Sequence, residues 1–132
     1  VRYKESLNKL SNNLLICTID QDHCLLLYPL KFWKNIEKKI MELPTLNANT
    51  RRLQRLMVGH AAELEMDSNG RILIPKELRE FARLQKQTML VGQGKKFEIW
   101  NYDDWNTSRE KWLSTKEADL SDLPTELGTL SL

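Results

Sequence analysis

Ala61-Ala62-Glu63-Leu64-Glu65-Met66-Asp67-Ser68-Asn69-Gly70-Arg71-Ile72-Leu73-Ile74-Pro75 alternates apolar and polar residues on both sides of a polar centre. An alternation of period two belongs to a strand with one buried face, so Leu64 and Met66 are expected on one side and Glu63 and Glu65 on the other. Asn69-Gly70 is a dipeptide of tight hairpins, because both residues tolerate positive φ. Residues 63–74 therefore read as a β-hairpin with its tip at residues 67–70. Pro75 suits the first turn of a following helix that carries Leu78, Phe81, Ala82 and Leu84 inward. At the tip, the Asp67 carboxylate is placed to accept turn amides, with Ser68, Asn69 and Gly70 shaping the bend and Arg71 projecting a five-donor fork from a rigid base. By spacing alone a plain turn closed by an Asp–Arg pair is the first reading. What raises the functional reading is that an Arg fork on a two-stranded ribbon matches guanine O6 and N7 in the major groove of DNA.

Outward from the hairpin, the chain matches itself. Val1-Arg2-Tyr3-Lys4-Glu5 lies over Lys76-Glu77-Leu78-Arg79-Glu80, and Leu14-Leu15-Ile16 over Met89-Leu90-Val91. After a three-residue slip, Leu25-Leu26-Leu27-Tyr28 lies over Phe97-Glu98-Ile99-Trp100, and Trp33 falls on Trp105. Two copies are too few for a solenoid, so the expectation is two halves that share a core or form related subdomains. The divisions are a first half over residues 1–58, a second over 59–114 and an acidic, loosely attached tail over 115–132. The second copy is preceded by the hairpin stretch and the first begins at Val1, so an N-terminal strand-turn-strand is expected to be missing from the first half.

The remaining elements follow from period and punctuation. Leu30, Trp33, Ile36, Ile40 and Leu43 recur every three or four residues, which predicts an amphipathic helix ending before Pro44. A second helix is expected from Thr50 as cap, with Leu53, Leu56 and Met57 inward and Arg51, Arg52 and Arg55 outward. Those three arginines are candidates for contact with phosphate or with a neighbouring subunit, although a solvated face is the commoner role of such a cluster. Residues 89–91 and 97–100 read as strands joined by a glycine turn, followed by a short helix through Trp105 and Trp112. The class is mainly β with flanking helices, α+β.

The chain has 132 residues, 41% hydrophobic and 29% charged, which is enough to bury a core without metal or disulfide support. Cys17 and Cys24 sit in apolar runs without zinc-site spacing and read as reduced, buried fillers. No run approaches the ~20 apolar residues of a membrane span. The full chain has a net charge of +2, and Lys116 against Glu117, Asp119, Asp122 and Glu126 makes the tail acidic, which leaves residues 1–114 distinctly basic. A basic body allows a nucleic-acid partner without requiring one. Enzyme motifs are missing: there is no G-x-S-x-G, P-loop or H-E-x-x-H, and Gly92-Gln93-Gly94 lacks the third glycine of a dinucleotide site. Glu63, Glu65 and Asp67 share one face, but a solvent-facing strand accounts for them better than a hard-cation site. Catalytic, cofactor and metal sites are therefore not expected.

Taken together, residues 59–75, the preceding Arg51-Arg52-Leu53-Gln54-Arg55, and Cys24-Leu25-Leu26-Leu27-Tyr28-Pro29 ahead of Trp33 resemble the MraZ family of bacterial transcriptional regulators. The likeness runs in order over residues 1 to about 112, departing at Lys4, where the family usually has Arg. It implies an AbrB-like fold, a swapped-hairpin β-barrel built from two pseudo-repeats. It also implies a ring-like homo-oligomer that binds short repeats in double-stranded promoter DNA, upstream of division and cell-wall genes, in the cytoplasm and on the nucleoid. The family's D-x-x-x-R tip maps onto Asp67 and Arg71. The competing expectation is a non-enzymatic oligomeric assembly or protein-binding module.

Overall fold

The computed structural model describes residues 13–114. The matching of Val1-Arg2-Tyr3-Lys4-Glu5 to the second copy and the tail over 115–132 lie outside the described residues. Five strands, β1 (Leu14–Ile19), β2 (Leu25–Pro29), β3 (Ala62–Glu65), β4 (Thr88–Gln93) and β5 (Lys96–Asn101), form one antiparallel sheet in the order β3-β1-β2-β5-β4. The helices are α1 (Leu30–Met41), α2 (Ala48–Leu53) continued by a π-helical turn at Gln54–Val58, α3 (Lys76–Phe81) and α4 (Tyr102–Ser114). The α+β class is the expected one, but among the described residues the sheet is open. Closing it into a barrel needs hydrogen bonds between its two edges, and β3 pairs with β1 while β4 pairs with β5. The outgoing arm of the hairpin supplies no such bridge: after Arg71 the chain leaves the ladder and enters α3 through Pro75.

The duplication is visible as a pseudo-two-fold axis at the centre of the sheet. Strands β2 and β5 pair as Leu25↔Ile99, Leu26↔Glu98 and Leu27↔Phe97. Because the two copies match Leu25 to Phe97 and Leu27 to Ile99, exchanging them returns the same pairs, and Leu26–Glu98 maps onto itself. The outer hairpins obey the same operation. Ile16 faces Tyr28 as Met89 faces Trp100. Ile16 is thus the counterpart of Met89, two residues from the Val91 that sequence matching assigned it. The slip arises because residues 20–24 make a wider turn than the Gly94 turn, and a two-residue shift keeps each side chain on its own face.

Both faces of the sheet are apolar. On one, Leu15, Cys17, Ile19, Leu25, Leu27, Phe97 and Ile99 pack with Leu64 and Met66 under Leu78 and Ala82 of the α3 region. On the other, Ile16, Leu26 and Tyr28 meet Trp33 of α1 together with Met57 and Val58. Burial on both faces explains why β1 and β2 read as continuous apolar runs instead of alternating ones. Helix α1 carries Trp33 and Ile40 inward as its period requires. Helix α2 is capped by Asn47, not Thr50: the Asn47 side chain accepts from the Asn49 amide at 2.7 Å. Asn and Thr are both good caps, and the Asx geometry at Asn47 starts the helix three residues earlier. A separate compact unit begins at Asp103 and holds most of α4, where Trp105 and Trp112 meet edge to face at 5.9 Å.

Candidate nucleic-acid interface

The hairpin tip is built by one carboxylate. Asp67 Oδ1 accepts from the amides of Asn69 and Arg71, both at 2.8 Å, while the Asp67 amide donates to the Arg71 carbonyl at 2.8 Å and the Gly70 amide to the Asp67 carbonyl at 3.0 Å. Gly70 takes φ 79°, a left-handed conformation that glycine adopts without steric cost. Below the tip the incoming arm is fixed by β3, whose ladder continues through the Met66 amide to the Asn13 carbonyl at 2.8 Å. Leu64 and Met66 are buried while Glu63 and Glu65 face solvent, as the alternation requires. Asp67, Ser68, Asn69 and Arg71 are all exposed, so the Arg71 fork stands at the surface on a backbone its neighbour holds rigid. Asp67 thus grips Arg71 through the main chain, which leaves the guanidinium available to a ligand.

The basic cluster sits elsewhere. Strand β3 runs antiparallel to β1 with Glu65 beside Leu14, so the tip emerges at the start of β1. Arg52 lines an open cleft of about 660 Å³ with Ile19, Asp20, His23 and Phe81, at the other end of β1, about 20 Å away by strand rise. Arg51 donates from Nη1 to the Thr45 carbonyl at 2.8 Å, a contact inside its own helical corner. Arg55 is exposed on the π-helical turn. The structure therefore does not merge Arg51, Arg52 and Arg55 with Arg71 into one patch. Sequence reasoning missed the cleft, where the His23 ring stacks on Phe81 at 5.0 Å and His23 takes φ 62°. Its walls come from three distant segments, residues 19–23, 49–56 and 81, and no spacing rule links them.

The two cysteines are inert by environment. Cys17 is fully buried, and burial pushes its thiol from the usual 9.0 up to about 12. Cys24 is raised further, first by burial and then by the carboxylates of Glu98, Asp20 and Asp22. A thiolate is the reactive form, so neither position is set up for chemistry.

Known sequences resemble the chain along its length. The family profile described as "MraZ protein, putative antitoxin-like" matches twice, over residues 5–56 and 57–125, one match for each half of the duplication. A "Transcriptional regulator MraZ" of Coxiella burnetii (strain RSA 493 / Nine Mile phase I) is 48% identical over 132 residues, covering 99% of this chain and 87% of that protein. The protein of the same description from Methylococcus capsulatus is 47% identical over 131 residues, covering 98% and 86%. That of Legionella pneumophila (strain Paris) is 46% identical over 133 residues, covering 99% and 87%.

Proposed function

The chain belongs to the MraZ family, and from that premise we propose that it is a DNA-binding transcriptional regulator whose Asp67-to-Arg71 turn reads short promoter repeats upstream of division and cell-wall genes. The observation that carries this is the tip itself: an exposed Arg71 on a backbone pinned by two bonds to Asp67 Oδ1. Such a fork donates two parallel hydrogen bonds to guanine O6 and N7 without first ordering its own base. One tip offers a small contact area. Several copies in a ring-like homo-oligomer present identical tips to spaced repeats, and affinity then comes from effective concentration. Because Arg52 lies at the far end of β1, it serves a neighbouring subunit or flanking phosphates and not the base pairs under the same tip. The site of action is the nucleoid, and among the described residues no helix is long and apolar enough to cross a membrane.

Fluorescence anisotropy of a labelled repeat-containing promoter duplex against a scrambled one, at two salt concentrations, tests the reading. Arg71→Ala is expected to remove about 1–3 kcal/mol of discrimination between the duplexes while leaving the salt slope nearly unchanged. Equal loss on both duplexes would refute base readout by Arg71. A wild-type chain that oligomerises but ignores both duplexes would favour a protein-binding assembly module.

A further inference from the structure

The cleft at the far end of β1 has the makings of a small-molecule site. Its volume of about 660 Å³ falls inside the roughly 300–1,000 Å³ of such sites. Ile19, Leu56 and Phe81 supply apolar wall, and Asp20 and Arg52 bring in one charge of each sign. The two charges are left open. Among the described residues Arg52 makes no ion pair, and Asp20 spends only Oδ2, which accepts from the Asp22 amide at 3.0 Å and from the Cys24 thiol at 3.8 Å. A simple anion entering the cleft meets Asp20 as a like charge, and a simple cation meets Arg52 as one. Only a ligand that carries both signs satisfies both residues.

The aromatic wall is held at a cost. The Asp20 amide donates to the Cys24 carbonyl and the His23 amide to the Asp20 carbonyl, which closes a three-residue loop whose last member, His23, stands at φ 62°. Glycine is the residue free of strain there, and the symmetry-related turn places Gly94 at φ 67°. Histidine accepts the strain, and its ring stacks on Phe81 with centroids 5.0 Å apart and planes at 21°. His23 is still exposed and lines the cleft, so the ring face turned from Phe81 is open to a ligand. A strained side chain kept at a cleft points to use of that side chain. The helical corner that carries Arg52 and Leu56 is tied to β1 by the Thr18 hydroxyl, which donates to the Met57 carbonyl.

We propose that this cleft binds a free aromatic α-amino acid, with its carboxylate on Arg52, its ammonium on Asp20 Oδ1 and its ring on His23 over the apolar wall. The α-amino acid is the smallest ligand that presents both charges beside one flat apolar group. A flanking phosphate or a neighbouring subunit uses the Arg52 charge alone, whereas the amino acid uses it together with Asp20 and the rings. The cleft stands about 20 Å from the hairpin tip by strand rise, so its ligand takes no part in base reading.

The test is a nuclear magnetic resonance titration of the full 132-residue chain, isotope-labelled, with L-phenylalanine, L-tyrosine and L-tryptophan. Saturable shifts are expected at Asp20, His23 and Arg52 with at least one of the three. N-acetyl-L-phenylalanine lacks the ammonium, L-phenylalaninamide the carboxylate and glycine the ring, and each is expected to bind at least about tenfold more weakly than L-phenylalanine. Arg52→Gln should weaken L-phenylalanine by about tenfold without weakening the amide, and Asp20→Asn, which keeps the turn's acceptor, should weaken it likewise without weakening the N-acetyl compound. A merely structural role does not produce that crossed pattern. His23→Gly should keep or raise the Tm, because the strain is relieved, and yet lose the ligand. Absence of saturable shifts with all three amino acids overturns the proposal. So does an equal response to glycine or to inorganic phosphate, a loss in Arg52→Gln that falls alike on L-phenylalanine and its amide, or wild-type affinity in His23→Gly.

Discussion

Asp67 shows how much one side chain decides at the tip. Replacing it by Ala removes the acceptor for the Asn69 and Arg71 amides, both solvent-exposed, so the cost to global stability is small, about 0.5–1.5 kcal/mol for the exchanged hydrogen bonds. The larger consequence falls on Arg71, whose backbone is no longer fixed and must be ordered on binding. Asp67→Ala is therefore expected to lose preference for repeat DNA although Arg71 is intact. Asp67→Asn, which keeps an Oδ1 acceptor, should retain most of it. Anisotropy on the two duplexes separates the variants, and equal behaviour would show that the carboxylate's charge, and not its hydrogen bonds, matters. This turn was legible in sequence because its chemistry is local: the partners of Asp67 lie two and four residues away, and Gly70 supplies the positive φ. The buried Thr18 hydroxyl, which donates to the Met57 carbonyl, was not legible, since 39 residues separate the two. Thr18→Val keeps the volume and orphans that carbonyl. It should cost about 1–3 kcal/mol in denaturant unfolding with no change in slope m.

Among the elements, α1 and the β4–β5 hairpin were legible because period and glycine punctuation are intrinsic to them. Two features were not. The outgoing hairpin arm alternates like a strand, with Ile72 and Ile74 partly buried and Leu73 83% exposed, but it forms no ladder; alternation reports a buried side and not a paired backbone. The π-helical turn at Gln54–Val58 also escaped, since helix and π-bulge share their composition. Its end is marked by Gly59, whose amide donates to the Gln54 carbonyl at 3.2 Å, the i→i+5 closure of the π turn. A Cβ at Gly59 would stand 2.3 Å from the Arg55 carbonyl oxygen, an approach that backbone cannot yield cheaply. Gly59→Ala is thus expected to destabilise by about 1–3 kcal/mol through overpacking, despite a φ of −65° that alanine adopts freely. Thermal unfolding checks this, and an unchanged or raised Tm would mean that the turn relaxes to an ordinary α-helical end.

At the scale of the whole molecule, the duplication was readable but its register was not, because sequence matching has no access to the ladder that fixes Ile16 against Tyr28. The same ladder buries Cys17 within the sheet, and this gives the fold a testable response to alkali. The ordinary thiol value of 9.0 describes the unfolded chain, while burial raises Cys17 in the native state to about 12. Below pH 9 both states keep the proton and stability is unaffected. Between about 9 and 12 the unfolded chain ionises and the native one does not, so stability falls as pH rises, by up to about 1.4 kcal/mol per pH unit for each such thiol. Cys24 acts in the same direction. Tyr28, raised first by burial and then by Asp20 and Glu98, joins above its ordinary 10.0. Urea unfolding of the reduced protein at successive pH values from 8 to 11 should show this decline, and Cys17→Ala, though less stable at pH 8 for its lost packing, should decline less steeply. An identical slope in the variant would mean that Cys17 ionises in the folded sheet, which requires solvent to reach the core between β1 and its neighbours on the native side of the transition.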